Sequence, residues 1–246
     1  LRFARNDDKL RYMCDTTLDE TCKGVYAMKI AMFTNTYLPL VGGASISIKR
    51  FSDFLRSKGH DVLVVAPEYD DQPEQEEDIV RVPALKNFNS TRFSVPLPLA
   101  FDVAPAMNAF QPDLIHAHHP FFLGDTALRV AATRAVPIVV THHTSYEQYI
   151  HYVPGNMTWL EPYVFDLYIG HANLCDAVIA PSESIKQELC ECGVNRPVHV
   201  IPTGVDLERY ENGNGSAFRR ELGIPEDAFL IGHVGRLNLE KNLDFL

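Results

Sequence analysis

Basic charge is scarce in this sequence. Its 246 residues carry 22 Lys and Arg against 32 Asp and Glu, a net charge of −10. A nucleic-acid binder needs a basic face, so that class is disfavoured. General adhesion to anionic lipid is disfavoured too, and only a local basic patch could dock. Long apolar runs are missing: none nears the roughly 18 residues of a membrane-spanning helix. The cysteines are five, an odd number, and scattered: Cys14, Cys22, Cys175, Cys190 and Cys192. That suits reduced thiols in a cytosol better than a disulfide framework. Cys190 and Cys192 have no second pair nearby to complete a metal set. Three signatures are absent as well: the nucleophile elbow G-x-S-x-G, a close pair of carboxylates at strand ends and the dinucleotide fingerprint G-x-G-x-x-G.

Met28 to Pro67 is the most informative stretch present. The apolar run Ile30–Thr34 meets a turn with Gly42 and Gly43. A helical pattern follows through Ile46, Ile48, Phe51, Phe54 and Leu55, and then a second apolar run, Val62–Ala66. This reads as strand, glycine turn, helix and strand, a βαβ unit of a parallel sheet. A glycine turn before a helix N-terminus offers unpaired N–H groups and a positive dipole end, which favour an anion such as a diphosphate. A Cβ there would hinder close approach to phosphate oxygens. Many such turns only satisfy chain geometry, so the turn needs support from elsewhere.

The alternation continues. Strands are expected at Ile79–Val82, Asp113–Ala117, Pro137–Thr141, Ala177–Ala180 and Val198–Ile201. Helices are expected at Pro98–Phe110, Leu123–Arg134 and Leu160–Cys175, with another opened by Ser182. The fold class is α/β, a doubly wound Rossmann-like domain, followed by the start of a second one. Residues 1–27 are polar and aperiodic and are expected to be a poorly ordered extension, upstream or artificial. Residues 28–206 form the first domain with its linker. Residues 207–246 open the second, with a helix near Phe218–Leu222 and a strand at Ala228–Val234. The pattern breaks off in what reads as a fresh helix, so the chain is expected to be a fragment. Glu68–Asp78 is acidic and reads as a solvated turn.

Ligands bind beyond the C-terminal strand ends of such sheets. Gly42-Gly43, His116 to Phe122, His142 to Tyr152 and Ser182 all fall there. The histidines His116, His118, His119, His142, His143 and His151 admit three readings: a zinc set, packed or solvated rings, or hydrogen-bonding groups of a polar cleft. The carboxylates nearest in sequence, Asp113 and Asp125, are badly placed for zinc. Arg236 follows the last expected strand and Lys241 follows within about a turn. A forked donor and a point charge could clamp a diphosphate opposite the glycine turn, or form an exposed surface pair. Lys86, Phe88, Arg92 and Phe93, with Pro96–Phe101, make a mixed basic and apolar segment, either a membrane contact or an ordinary loop.

Together these residues resemble the retaining glycosyltransferases of the GT-B class known as family 4. The resemblance rests on P-L-V-G-G-A-S and K-G-H-D-V within 39–62, D-L-I-H-A-H-H-P at 113–120, T-H-H-T at 141–144 and A-P-S at 180–182. I-P-T-G-V-D at 201–206 and G-R-L-N-L-E-K-N at 235–242 complete it. The tyrosine-rich segment 146–154 is most similar to diacylglycerol glucosyltransferases. The resemblance implies a hexose transfer from a nucleotide sugar, of UDP-glucose or GDP-mannose type, to a membrane glycerolipid with retention of anomeric configuration. It implies diphosphate contacts from Gly42, Gly43, Arg236 and Lys241, with His143, Arg236 and Lys241 as catalytic residues. His118, Tyr146, Tyr149 and His151 fall on the acceptor side. No metal or other cofactor is implied, and the location is cytoplasmic, with peripheral contact on the inner membrane face. Thr203 stands where the family usually has Asn. A sugar-nucleotide epimerase of the same architecture is the alternative enzyme, and an inactive isolated N-terminal domain the alternative object.

Overall fold

The computed structural model describes residues 26–88, 92–97, 103–143, 161–235 and 242–245. Seven parallel strands form one sheet in the order β3-β2-β1-β6-β7-β8-β9. They are β1 (Lys29–Phe33), β2 (Asp61–Pro67), β3 (Ile79–Val82), β6 (Leu114–Ala117), β7 (Ile138–Thr141), β8 (Ala177–Ala180) and β9 (Val198–Val200). Chain order reverses between β1 and β6, which creates a crevice at their C-terminal ends. The helices are α1 (Gly43–Ser57), α2 (Val103–Phe110), α3 (Leu123–Arg134), α4 (Glu161–Leu174) and α5 (Glu183–Glu191).

Strand residues alternate between two cores. Ile30, Met32, Val62, Val64 and Leu114 pack with Ile48 of α1 on one face. Ala31, Phe33, Val65, Ile115 and Val140 pack with Met107, Ala127, Tyr168 and Leu189 of α2, α3, α4 and α5 on the other. The near-continuous burial of β1 and β2 is what a sheet covered on both faces requires. Two aspartates start strands at the opposite edge from the crevice. Asp113 Oδ2 accepts from the Lys29 N–H at 2.9 Å, and Asp176 Oδ2 from the Ile138 N–H at 2.9 Å.

The acidic stretch is more than a solvated turn. Its Glu76 is bound by Arg81 of β3 through both carboxylate oxygens, at 2.6 and 2.7 Å. Arg81 also donates to the carbonyls of Pro67 at 2.9 Å and Leu38 at 2.6 Å, and lies over the rings of Tyr37 and Tyr69. One guanidinium thereby ties the acidic loop to the segment leading into the glycine turn. The sequence pattern shows that stretch as charge alone, because its partner is a lone Arg in an apolar strand.

Two further differences stand out. Ala84–Leu85 (β4) and Val95–Pro96 (β5) form a small antiparallel ladder in a segment without visible periodicity. The strand expected at Ala228–Val234 is not formed: those residues are in no sheet, and Phe229, Leu230, Ile231 and Val234 are exposed. A strand needs a neighbour for its N–H and C=O groups, and no described residues supply one. Short helices, α6 (Glu208–Glu211) and α7 (Gly215–Glu221), precede it. Most of the 1–27 extension and the first residues of the helix expected from Pro98 lie outside the described residues.

Replacing Arg81 by Ala leaves Glu76 partly buried and unpaired, and removal of one partner of such a pair costs about 3 kcal/mol. Urea unfolding of Arg81→Ala is expected to show that loss; a change below about 1 kcal/mol would mean the network is solvated.

Candidate functional site

The period of two along a strand sorts the histidines. His116 and His118 leave β6 on the α1 face, as Thr141 and His143 do from β7; His119 and His142 face the opposite side. His116 Nε2 meets Thr141 Oγ1 at 2.7 Å, and its ring takes the Phe51 ring edge-on, with centroids 5.5 Å apart. His118 lies against His116, centroids 4.0 Å apart, and its Nδ1 is 2.9 Å from His143 Nε2. A stack of three imidazoles thus runs from the sheet to the crevice.

His119 has a different task. Its Nδ1 accepts from the Asn35 N–H at 3.1 Å and lies 3.3 Å from Thr34 Oγ1. Asn35 then reaches across the crevice: its Oδ1 accepts from the Leu123 N–H at 3.1 Å and its Nδ2 donates to the Phe121 carbonyl at 2.9 Å. Asn35 therefore caps α3. Gly124 completes this corner, because a Cβ there would sit 1.9 Å from the His119 carbonyl oxygen. Asn35 escaped the motif reading; its signal is a run of polar residues, Thr34-Asn35-Thr36, directly after an apolar strand.

The start of α1 contrasts with this. Gly42 is its N-cap, without a side-chain hydrogen bond, and no acidic residue occupies the first turn. Both Gly42 and Gly43 are exposed, and a Cβ at either would meet no described residue within 4 Å. Gly42 has φ −158°, which any residue adopts. Neither packing nor backbone conformation in this fold asks for glycine here.

A cleft of about 410 Å³ opens beside the histidines, a size within the usual range for ligand sites. It is walled by Arg50, Phe51 and Phe54 of α1, by His118 and His143, and by the segment 201–206. Arg50 donates to the Gly204 carbonyl at 3.2 Å. Gly42 and Gly43 begin the helix that forms this wall but do not line the cleft. Arg236, Lys241, Tyr146, Tyr149, His151 and Tyr152 lie outside the described residues.

Among the described residues no group of three or more His, Cys, Asp or Glu could hold a metal. Asp113 is committed to the far edge of the sheet. Asp125 sits at the start of α3 beside His171, away from the stack. Lys86 pairs with Asp70 at 3.4 Å and Arg92 pairs with Asp71, so the basic patch is locally neutralised. No helix among the described residues is long and apolar enough to cross a membrane.

Burial disfavours charge on every one of these rings. It lowers His116 and His119 to about 3, each further depressed by His143. It lowers His142 to about 4, and His143 to about 4 with a contribution from His142. His118 is pushed well down by burial and its neighbouring rings. His171 falls to about 4 by burial, partly opposed by Asp125. At neutral pH the site therefore offers hydrogen bonds and not imidazolium charge.

Residues 41–209, more than half of the chain, match the family described as Glycosyltransferase Family 4. The chain belongs to that family. It is 31% identical over 225 residues to the alpha-monoglucosyldiacylglycerol synthase of Streptococcus pneumoniae, covering 88% of this chain and 50% of that protein. It is 31% identical over 233 residues to a GDP-mannose-dependent alpha-mannosyltransferase of Corynebacterium glutamicum, covering 89% and 54%. The family 4 chain thus spans about half the length of these curated relatives. A glycosyltransferase from Rickettsia africae has a similar fold, with TM-score 0.50 and 14% identity over 82% of this chain and 51% of that one.

The buried neutral rings set an acid limit. Unfolding frees them to bind protons below about pH 6.5, whereas the fold resists protonation until pH nears 4 or 3. Stability is present in full above pH 6.5 and falls as pH drops, each ring contributing about 1.4 kcal/mol per pH unit through that window. Urea midpoints at pH 7.5, 6.5 and 5.5 are expected to decline with uptake of several protons on unfolding. Equal midpoints would show that the rings are solvated.

Proposed function

We propose that the full-length protein transfers a hexose from a nucleotide sugar to a membrane glycerolipid, with retention of anomeric configuration. Family membership supports the reaction class, and the name of the Streptococcus pneumoniae relative favours a diacylglycerol-type acceptor. The observation that carries the reading is the exposed, uncapped start of α1, where two glycines stand although the fold requires neither. Glycine there keeps main-chain N–H groups open to oxygens arriving from outside.

Gly42 and Gly43 would receive the donor diphosphate. Arg236 and Lys241 would neutralise it as it leaves, which is the task a metal ion performs elsewhere. His143, neutral because it is buried, would orient the donor by hydrogen bonding. The acceptor hydroxyl attacks on the face that the diphosphate leaves, and a leaving-group oxygen takes its proton. Holding hydroxyl and anomeric carbon close and stabilising the departing charge then supply the rate. Residues 207–246 are proposed to open the donor-binding half, with residues 28–206 on the acceptor side. Tyr146, Tyr149 and His151 are proposed at the acceptor entrance.

The enzyme is proposed to work in the cytoplasm against the inner membrane face. Because Lys86 and Arg92 are engaged by Asp70 and Asp71, half-exposed Phe88 is the better candidate for lipid contact. Liposome flotation is expected to fall more for Phe88→Ser than for joint charge removal at Lys86 and Arg92; the reverse order would restore an electrostatic contact.

The deciding assay offers the full-length gene product UDP-glucose, and separately GDP-mannose, with diacylglycerol vesicles and no added metal. Mass spectrometry is expected to find a hexosyl-diacylglycerol. Arg236→Ala and Lys241→Ala are expected to lower kcat about a hundredfold or more. Turnover at the wild-type level in both variants would refute the clamp, and absence of any glycosylated lipid would refute the acceptor.

A further inference from the structure

His118 is 1% exposed, yet it is a polar residue with a single side-chain hydrogen bond among the described residues, the one to His143. Its other nitrogen, Nε2, is buried and has no partner among the described residues. Leu or Met would fill such a position without that penalty, so an unpaired buried polar atom calls for a reason. Backbone geometry points to one. The His118 N–H donates to the Phe33 carbonyl at 2.9 Å, and the His142 N–H to the Ile179 carbonyl at 2.8 Å. The loops after β6 and β7 are thereby fixed to neighbouring strands on opposite sides, and His116 supports the His118 ring from behind.

We propose that His118 is a positioning residue, holding His143 in one orientation and one tautomer at the cleft. A buried orphan N–H is rarer in proteins than a buried orphan acceptor. The unpaired Nε2 of His118 is therefore the bare nitrogen, and its Nδ1–H donates to His143 Nε2. His143 is left with its proton on Nδ1, a donor for an oxygen of a ligand in the cleft. The catalytic consequence rests on the glycosyltransferase reading above; the tautomer does not.

Two measurements separate these layers. Nitrogen-15 NMR of histidine-labelled protein at pH 7 is expected to show His143 as the Nδ1–H tautomer. His118→Leu is expected to release it to the Nε2–H form or a mixture. His118→Asn, whose amide can still donate, is expected to retain Nδ1–H and also serves if the Leu variant fails to fold. Wild-type His143 in the Nε2–H form, or loss of Nδ1–H in the Asn variant, overturns the proposal. In the transfer assay, His118→Leu is expected to lower kcat roughly tenfold to a hundredfold with donor KM nearly unchanged, and His118→Asn to recover most of it. Equal impairment of both variants would leave only a packing role and overturn the proposal. If wild type transfers no sugar, the functional reading falls while the tautomer measurement still decides on His118.

Discussion

A parallel sheet leaves main-chain groups unpaired at its C-terminal edge unless the ladder continues beyond the strands, and buried groups of that kind must find partners. Here it continues. The Thr34 N–H reaches the Val65 carbonyl, His118 reaches Phe33, His142 reaches Ile179 and Ile201 reaches Ala180. Each bond fixes the first residues of a loop to the neighbouring strand. The candidate groups of the crevice are therefore extensions of the sheet and share its rigidity. Arg81 does for the approach to the glycine turn what the ladder does for the histidines, through side-chain donors.

The two helix starts at the switch point have been given opposite treatments. That of α3 is closed by Asn35, with Gly124 allowing the His119 carbonyl to come close. That of α1 has no side-chain cap and faces outward. Electrostatically they begin as equals, since both present N–H groups and a positive dipole end. Of the two, the start of α1 is the one whose main-chain N–H groups have no side-chain cap. The neutral histidines add hydrogen bonds nearby without adding a competing positive charge.

Much of this was legible because parallel sheets write themselves plainly. Apolar runs such as Ile30–Thr34 and Val62–Ala66, separated by helical patterns, located the strands to within a residue or two. His-x-His at 116 and 118 is a period-two signal, and it placed both rings on one face. What stayed hidden depends on distance in space. Glu76 looked like part of a solvated acidic run because Arg81 is invisible as its partner. Asn35 carried no visible role because the helix it caps lies 88 positions away. Ala228–Val234 misled in the other direction: β-propensity reports a fit to a sheet, and no described neighbour offers one.

The glycines at the start of α1 carry a further meaning for any effort to engineer this protein. Neither has a tight neighbour, and Gly43 already lies within a helix, where Ala is favoured over Gly by roughly 0.5–1 kcal/mol. A selection for thermal resistance alone would thus push this turn toward alanine. On the reading proposed above, the same change would narrow the approach of a diphosphate to the main-chain N–H groups of this turn. Libraries aimed at hardening the scaffold should hold both positions fixed.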